Sequence, residues 1–337
     1  MTTALLTHQA CFAHEPPPGH PEQPGRLHAV LDSLNGLHLQ QIEAPPAGAE
    51  SLARAHDPAL VARILAFRGP GLGRIDADTF MSSGSAQAAL HAAGAVIAAV
   101  DRVMAGEARN AFCAVRPPGH HSERARAMGF CLFNNVAVAA AEAHARGLQR
   151  VLCVDWDVHH GNGTQDAFYS SDKVLFVSTH QWPLYPGTGA FDEVGVGPGA
   201  GFTVNAPLPA GSGNDDYAAV FAEALLPIAD AYKPELVLVS AGFDAHRDDP
   251  LASMQLDEDG FAMLCGAVKA VADKHCEGRM VLTLEGGYDV DALARSVRGC
   301  VQVLAGESAP PLKGQPSRAA AAVRQVVAAQ RAHWEAL

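Results

Sequence analysis

The segment that most constrains this chain is residues 151–163, which read Val-Leu-Cys-Val-Asp-Trp-Asp-Val-His-His-Gly-Asn-Gly. An apolar run typical of a buried strand leads directly into two carboxylates and two imidazoles. Asp155, Asp157 and His159 alternate at period two, so their side chains leave one face if strand geometry continues through the run. A lone Asp-x-Asp also fits a strand end whose carboxylates cap the next turn. Burying both carboxylates is costly unless a cation is present, which favours a metal site.

Three other apolar runs end in the same kind of polar segment. They lead into Arg-Pro-Pro-Gly-His-His at residues 116–121, Ser-Ala-Gly-Phe-Asp-Ala-His at 240–246 and Glu-Gly-Gly-Tyr at 285–288. In open parallel sheets, ligands bind outside the carboxyl ends of the strands. We therefore expect the four strand ends to meet at one crevice.

Apolar strands alternate with helical stretches along the chain. Helices are predicted at residues 26–37, 85–104, 134–146, 215–231, 258–273 and 289–304, with a last surface helix at 318–334. This alternation predicts an α/β fold, a three-layer αβα arrangement with a mainly parallel central sheet. Stretches rich in proline and glycine at 45–49, 69–73 and 183–213 are predicted loops. No linker interrupts the sequence, so we expect residues 1–337 to form a single domain.

Composition argues against several classes of function. The 337 residues are 48% hydrophobic and 18% charged, as expected of a globular protein with a large core. The formal net charge of −12 disfavours nucleic-acid binding, which depends on cations that neutralise phosphates. The longest apolar helix candidate, near residues 90–100, is too short for a bilayer, and residues 1–13 lack a signal-peptide pattern. Seven cysteines without a Cys-x-x-Cys pair fit a reduced cytoplasm.

Five motifs together carry a family resemblance. They are Arg-Pro-Pro-Gly-His-His at 116–121, Gly-Phe-Cys-Leu-Phe-Asn-Asn at 129–135, Asp-Trp-Asp-Val-His-His-Gly-Asn-Gly at 155–163, Tyr-Pro-Gly-Thr-Gly at 185–189 and Leu-Glu-Gly-Gly-Tyr at 284–288. The chain resembles the zinc-dependent histone deacetylase family, specifically its class II branch with the bacterial histone deacetylase-like amidohydrolases and acetylpolyamine amidohydrolases. The resemblance begins near residue 19 and covers roughly the whole catalytic domain. It implies the arginase/deacetylase fold and hydrolysis of an acyl amide, with release of acetate.

The resemblance implies a metal site. Asp157, His159 and Asp244 would bind one catalytic Zn²⁺ and leave coordination positions open for a water and a substrate carbonyl. Two carboxylates and one imidazole form a harder ligand set than cysteine-rich zinc sites. Fe²⁺ and Mn²⁺ therefore also fit these ligands.

Two adjacent histidines, His120 and His121, are the expected proton-transfer groups. Such a pair in a loop is usually solvated or caps a helix, but the preceding Pro-Pro-Gly fixes the backbone and permits a close approach. The resemblance implies that His121 is the general base and His120 the electrostatic partner and proton donor, an assignment that the sequence leaves open. It supplies Asp155 as partner of His120 and Asn162 as partner of His121. An amide raises the pKa of its imidazole less than a carboxylate does, which suits a base near pH 7.

Tyr288 is the expected donor to the oxyanion. An isolated tyrosine is as often a buried aromatic residue with a bonded hydroxyl. The two glycines before it permit a loop that carries the phenol to the metal, where one donor is commonly worth about 3–4 kcal/mol.

Other positions describe a substrate channel. By resemblance, Gly129, Phe130, Tyr185 and Gly287 would line a narrow apolar tunnel, although Phe130 also fits core packing and Tyr185 a buried turn. Leu251 matches a rim position at which polyamine-specific relatives carry glutamate. Leucine cannot pair with a cation, so an acyl-lysine or a small acylated amine is favoured over an acetylpolyamine.

The resemblance also implies two structural K⁺ sites, built largely from the carbonyl oxygens that hard cations prefer. The first would use main-chain oxygens of Asp155, Asp157, His159 and Thr179 with the Ser178 hydroxyl. The second would use carbonyls near Phe168, Ser171, Val174 and Phe202.

Three alternatives to a lysine deacetylase remain open. The first is an acetylpolyamine deacetylase, and the second is a binuclear Mn²⁺ ureohydrolase in which His246 supplies a further ligand. The third is a catalytically silent module that binds acyl-lysine. The number of metal ions per chain separates a deacetylase, which would bind one, from a ureohydrolase, which would bind two. The sequence leaves the oligomeric state open, a homo-oligomer included.

Overall fold

The computed structural model describes residues 2–69 and 71–337. The strands are β1 (Thr3–Thr7), β2 (Gln40–Glu43), β3 (Gly73–Arg74), β4 (Phe80–Met81), β5 (Asn110–Cys113), β6 (Val151–Asp155), β7 (Val174–Gln181), β8 (Thr203–Leu208), β9 (Leu236–Ala241) and β10 (Met280–Leu284). The helices are α1 (Pro24–Ser33), α2 (Ala49–Ala55), α3 (Pro58–Ala66), α4 (Ser85–Met104), α5 (Asn135–Ala145), α6 (Asn162–Phe168), α7 (Asn214–Val220), α8 (Leu226–Tyr232), α9 (Glu258–His275), α10 (Val290–Leu304) and α11 (Ala320–Gln330). Short 3₁₀ turns lie at Gln9–Ala13 and Gly197–Gly199, and a π turn at Phe221–Leu225 joins α7 to α8.

Eight strands form one sheet in the order β2-β1-β5-β10-β9-β6-β7-β8, and every pairing is parallel. The residues of β5, β6, β9 and β10 are buried throughout. Strands read as continuous apolar runs when helices cover both faces of a parallel sheet, because no face meets water. The structure thus confirms the predicted three-layer αβα fold.

The strand order decides where the polar segments meet. Strands β5, β10, β9 and β6 are consecutive neighbours, in register at Cys113, Thr283, Ser240 and Asp155. Each is followed by one of the four polar segments. Because parallel strands end at the same edge, these segments converge as expected.

Several predicted boundaries are wrong. Residues 183–213, predicted as a loop, contain β8, which pairs with β7 from Phe176↔Thr203 to Gln181↔Leu208. Pairing with β7 and cover from α11 stabilise this edge strand, whereas its glycine- and proline-rich flanks suggested a loop. The predicted loops at 45–49 and 69–73 end at the first residues of α2 and β3, and residue 70 of the second loop lies outside the described residues.

The helices follow the predictions with local changes. The predicted helix at 215–231 is divided by the π turn between α7 and α8, while the stretch at 85–104 matches α4. Helices α2, α3 and α6 were not predicted. None of the helices in the described part of the chain combines the length and apolar composition needed to span a bilayer.

Candidate active site

The three predicted metal ligands come together in the structure. Asp157, His159 and Asp244 each direct one ligand atom into a buried group whose atoms lie within 4.8 Å of one another. His159 Nδ1 is 3.1 Å from both Asp157 Oδ1 and Asp244 Oδ2. Asp157 Oδ2 accepts the N–H of Gly286 at 2.8 Å, and Asp244 Oδ1 accepts that of Val158 at 2.8 Å. Each carboxylate is thus fixed by a backbone donor while its other oxygen faces the cluster.

This donor set fits a divalent metal. Burial and the charge of Asp157 raise the pKa of Asp244 to about 7, the penalty that a bound cation removes. Two glycines let the backbone close around the carboxylates. A Cβ on Gly242 would lie 2.1 Å from Asp157 Oδ2, and one on Gly286 would lie 2.2 Å from Asp244 Oδ2.

Strand geometry alone does not place the three metal ligands together. Strand β6 ends at Asp155, so the period-two alternation stops there and Asp157 and His159 lie in the following turn. Asp155 faces His120 instead, and its Oδ1 accepts the N–H of Asp157 at 3.1 Å. The turn allows Asp157 and His159 to share one cluster while Asp155 serves a different residue.

Both histidines have their predicted partners. His120 Nδ1 is 2.9 Å from Asp155 Oδ2, and His121 Nδ1 is 2.8 Å from Asn162 Oδ1. The two rings lie 4.0 Å apart between centroids. Burial opposes charge on His120, but Asp155 and Asp157 raise its pKa well above the ordinary value. Burial, with the charges of His120 and His159, lowers the pKa of His121 well below it.

Glu285 is a functional-site residue that the sequence analysis missed. Its buried Oε2 accepts the N–H of Gly119 at 2.6 Å and of His120 at 3.2 Å, and Ser240 donates to its Oε1 at 3.2 Å. Burial raises the pKa of Glu285 to about 7. The carboxyl therefore ties the loop that carries both histidines to strands β9 and β10. Its place at the strand end, before Gly-Gly-Tyr, was the available sequence signal.

A buried ion network, also missed, supports the tyrosine loop. Glu22 pairs with Arg26 at 3.2 Å and with Arg116 Nη2 at 2.7 Å, and all three side chains are fully buried. Arg26 Nε donates to the Gly287 carbonyl at 2.6 Å. The Arg26 guanidinium carbon lies 5.0 Å from the centroid of the Tyr288 ring. Glu22 and Arg26 lie just after residue 19, where the family resemblance begins, but nothing in that segment of the sequence indicated their partners.

Tyr288 follows β10 on the loop that the two glycines form. Gly287 has φ +119°, a conformation that side-chain-bearing residues rarely adopt. The Tyr288 ring meets the Phe130 ring edge-on at 5.9 Å, and its backbone N–H donates to Asp249 Oδ2 at 2.6 Å. Asp249 was not predicted, although it lies between the expected ligand Asp244 and the expected rim residue Leu251.

The predicted channel residues lie around His121, Tyr288 and Asp249. Phe130 lies outside the apolar core, against His20 at 4.6 Å and Tyr288, so it is not a core residue. Gly129 packs on His121, since a Cβ there would lie 2.5 Å from His121 Cδ2. The Tyr185 ring is 5.1 Å from His121 and 39% exposed. Leu251 is 36% exposed, and its N–H binds Asp249.

The predicted K⁺ ligands lie in two places. Asp155 and Ser178 are register partners on β6 and β7, and Ser178 Oγ is 3.0 Å from His180 Nδ1. In the second group, the carbonyls of Phe168 and Phe202 accept backbone N–H groups at 2.9 Å. Both K⁺ sites stay predictions.

His246 lies apart from the metal ligands. Its ring nitrogens face Asp248 at 3.6 Å and Glu258 at 3.7 Å. Within residues 2–69 and 71–337, Asp157, His159 and Asp244 form the one group with metal-ligand spacing. The arrangement therefore favours one metal over the binuclear alternative.

Comparison with known proteins agrees with this geometry. Residues 20–304 match the family model described as "Histone deacetylase domain". A "Probable deacetylase" of Archaeoglobus fulgidus is 41% identical over 91% of this chain and 87% of its own length. The "Histone deacetylase-like amidohydrolase" of Pseudomonas aeruginosa is 44% identical over 80% of this chain and 73% of its own length.

Two further relatives extend the comparison. Human "Polyamine deacetylase HDAC10" is 42% identical over the whole chain, which spans 53% of that protein. The solved HDA15 HD domain superposes with a TM-score of 0.93 at 36% identity, covering 99% of this chain and 95% of that one. The family match extends across most of the sequence and includes every segment that builds the site. The chain therefore belongs to the histone deacetylase family and is an amide-hydrolysing enzyme.

Proposed function

We propose that this enzyme is a metal-dependent deacetylase that hydrolyses the acyl amide of acyl-lysine or of a small linear acylated amine. The observation that carries this proposal is the pairing of His120 with Asp155 and of His121 with Asn162 beside the three-residue metal cluster. Two imidazoles with different partners suit one base and one acid in the same reaction.

Asp157, His159 and Asp244 would hold Zn²⁺, and Fe²⁺ or Mn²⁺ also fit this ligand set. A bound metal supplies Lewis-acid polarisation of the amide carbonyl and activation of a water. The Asn162 oxygen accepts from His121 Nδ1 and so leaves Nε2 free to accept a proton. His120, held by Asp155, favours the protonated form, which stabilises negative charge and donates a proton to the leaving amine. Tyr288 would donate its hydroxyl proton to the developing oxyanion.

The channel residues support a linear substrate. The Tyr185 ring lies 5.1 Å from His121 and the Phe130 ring 5.9 Å from Tyr288, and both rings can pack on a methylene stem. The names of the relatives include both a polyamine deacetylase and a histone deacetylase-like amidohydrolase, so similarity alone does not choose the substrate. Leu251 provides no charge for a distal ammonium, and we therefore favour acyl-lysine.

One assay tests this proposal directly. The purified, zinc-loaded chain is offered an acetyl-lysine peptide, an acetylpolyamine, longer acyl-lysines and a guanidino compound. We expect the highest kcat/KM for an acyl-lysine peptide and about one metal per chain. Preference for the acetylpolyamine supports the polyamine alternative, and guanidino hydrolysis with two metals per chain supports a ureohydrolase. Binding of acyl-lysine without turnover indicates the silent module.

The wider assignments belong to the same proposal. We infer that residues 1–337 form one catalytic domain and that K⁺ occupies the two carbonyl-rich sites described above. All seven cysteines are free and buried, which fits a reducing cytoplasm. Replacement of K⁺ by Na⁺ in the buffer is expected to lower thermal stability or activity, and identical behaviour in both salts would contradict the K⁺ sites.

A further inference from the structure

Asp249 joins two parts of the site that are separate in the sequence. Its Oδ2 accepts the backbone N–H of Tyr288 at 2.6 Å and of Asp289 at 3.4 Å. Its Oδ1 accepts the N–H of Leu251 at 2.9 Å. Asp249 as a whole residue is 7% exposed, so these amides replace water as partners of its carboxylate.

We propose that Asp249 is a positioning residue that holds the phenol of Tyr288 in place and fixes the channel rim at Leu251. This inference rests on the proposed function, because Tyr288 acts as the oxyanion donor only in that reaction. Asp249 binds the backbone on both sides and does not belong to the metal cluster. It would therefore act on catalysis through Tyr288.

The loop before Tyr288 explains why such an anchor is needed. Gly286 and Gly287 restrict the backbone least of all residue types, so the phenol is placed by hydrogen bonds rather than by local sterics. Gly286 is held through Asp157 at 2.8 Å and Gly287 through Arg26 at 2.6 Å. Asp249 is the side chain that binds residue 288 itself. A small displacement of one catalytic group is enough to cost a large part of the rate.

The chemistry of the anchor requires a carboxylate. Three backbone N–H groups point at two oxygens, and an ionised carboxylate is a group that only accepts. An amide would place its NH₂ group against an N–H, which leaves at least one buried donor without a partner. The neighbouring Asp289 caps α10 through the N–H of Ala292 at 2.8 Å. The same segment thus ends the tyrosine loop and begins a long helix.

Steady-state kinetics of the 337-residue chain and its substituted variants test the proposal. Asp249→Asn keeps one acceptor oxygen and Asp249→Ala keeps none, while Asp248→Asn removes the same charge from the adjacent residue, 53% exposed at its side chain. We expect Asp249→Ala to lower kcat about 10²-fold and Asp249→Asn about tenfold, with KM changed less than about threefold. Metal content near one per chain checks the fold of each variant, and Asp248→Asn should match wild type.

A double-mutant cycle separates positioning from a general structural role. In the Tyr288→Phe background, each Asp249 substitution should lower kcat by less than about twofold, because the group that it positions is already lost. Losses of equal size in both backgrounds would overturn the proposal. So would wild-type kcat in Asp249→Ala.

An NMR measurement tests the contact without any assay of activity. The chain has 5 tyrosines, so ¹⁵N-tyrosine labelling gives a simple amide spectrum in which Tyr288→Phe identifies the residue 288 peak. A short hydrogen bond to a carboxylate shifts an amide proton downfield, and Asp249→Ala should move this peak upfield while Asp248→Asn leaves it in place. An unmoved peak refutes the contact. If Asp249→Ala moves the residue 288 peak but the wild-type enzyme deacetylates no substrate, the proposed function fails while the contact stands.

Discussion

At the scale of single residues, the site depends on partners that set the state of each reactive group. Asp155 and Asn162 each bind one histidine Nδ1. Against the effect of burial, Asp155 and Asp157 raise the pKa of His120, whereas burial and the charges of His120 and His159 lower the pKa of His121. A carboxylate stabilises an imidazolium directly, whereas a neutral amide fixes the tautomer without adding charge. In the proposed reaction, Asp155 therefore favours the charged form of His120, while Asn162 fixes the tautomer of His121.

Loss of either carboxylate ligand should remove the metal. We expect purified wild type to hold about one transition metal per chain and Asp157→Ala or Asp244→Ala to hold almost none, because each loses one of three protein ligands. Elemental analysis after dialysis provides the measurement. Full occupancy in both variants would refute the assignment of the ligands.

Tyr288→Phe should separate turnover from binding. The variant keeps its metal and its KM, but kcat should fall by roughly 10²–10³, the usual effect of removing one oxyanion donor. Steady-state kinetics with an acyl-lysine peptide give both constants. A kcat near that of wild type would mean that the hydroxyl plays only a structural part.

Leu251→Glu should shift preference from acetyl-lysine towards acetylated polyamines. A carboxylate at the rim would meet the second ammonium of a polyamine, whereas a lysine peptide places uncharged backbone there. The rim is partly solvated, so the gain should be about 1 kcal/mol, or several-fold in kcat/KM. Leu251→Gln is the matched uncharged control. An unchanged ratio of the two kcat/KM values, or a strong polyamine preference in wild type, would remove Leu251 as the rim residue.

At the scale of elements, one carboxylate joins helix α7 to the start of α11, and α11 packs on the edge strand β8. Asp216, in the first turn of α7, accepts the N–H groups of Ser317, Arg318 and Ala319 at 2.8–2.9 Å. It also accepts that of Gly213 at 3.2 Å. Helix α11, which begins just after these residues, covers β8. Burial alone would raise the pKa of Asp216, but these donors hold it below the ordinary value.

Asp216→Asn should therefore loosen α11. We expect a loss of about 1–3 kcal/mol in the free energy of unfolding at pH 7, the usual effect of losing hydrogen bonds to a charged group. The loss should shrink as pH falls through the lowered pKa, since wild type then also carries a neutral side chain. Urea unfolding measures this loss of stability, and limited proteolysis of residues 305–319 measures the loosening before α11. Asp215→Asn, at an exposed position, is the control. Equal stability of both variants would contradict this account.

At the scale of the whole molecule, a buried ion network joins segments that lie far apart in the sequence. Arg26 and Gly287 are in contact although 261 positions separate them. Glu22 lies between Arg26 and Arg116. Burial would raise its pKa, but Arg116 and His14 hold it well below the ordinary value. Its stabilising effect is therefore present above the unfolded pKa near 4.5 and is lost as pH falls towards the folded value.

Glu22→Gln should lower stability most at neutral pH. Two buried arginines lose their counterion, a change that commonly costs about 3–5 kcal/mol. Between pH 7 and pH 3, the free energy of unfolding should fall less steeply in the variant than in wild type. Denaturant titrations across this range give both curves. Parallel curves would show that Glu22 does not contribute to the acid sensitivity.

The sequence by itself determined the fold class and predicted which residues gather at the site. Alternating strands and helices predicted the αβα layers, and His120, Asp157, Asp244 and Tyr288 each follow closely after an apolar strand. Such residues can be predicted from the sequence because their position depends on local chain geometry. A strand end fixes the edge of the sheet at which the next few side chains lie.

Only the tertiary structure decided what holds these residues in place. The side chains of Glu285, Arg26 and Asp249 each bind a loop far away along the chain, so no local spacing indicates which backbone groups they hold. The same reason explains β8, whose strand geometry depends on pairing with β7, and the turn that takes Asp157 and His159 off the strand. Local sequence specifies which groups are available, and long-range hydrogen bonds that form only on folding specify where they point.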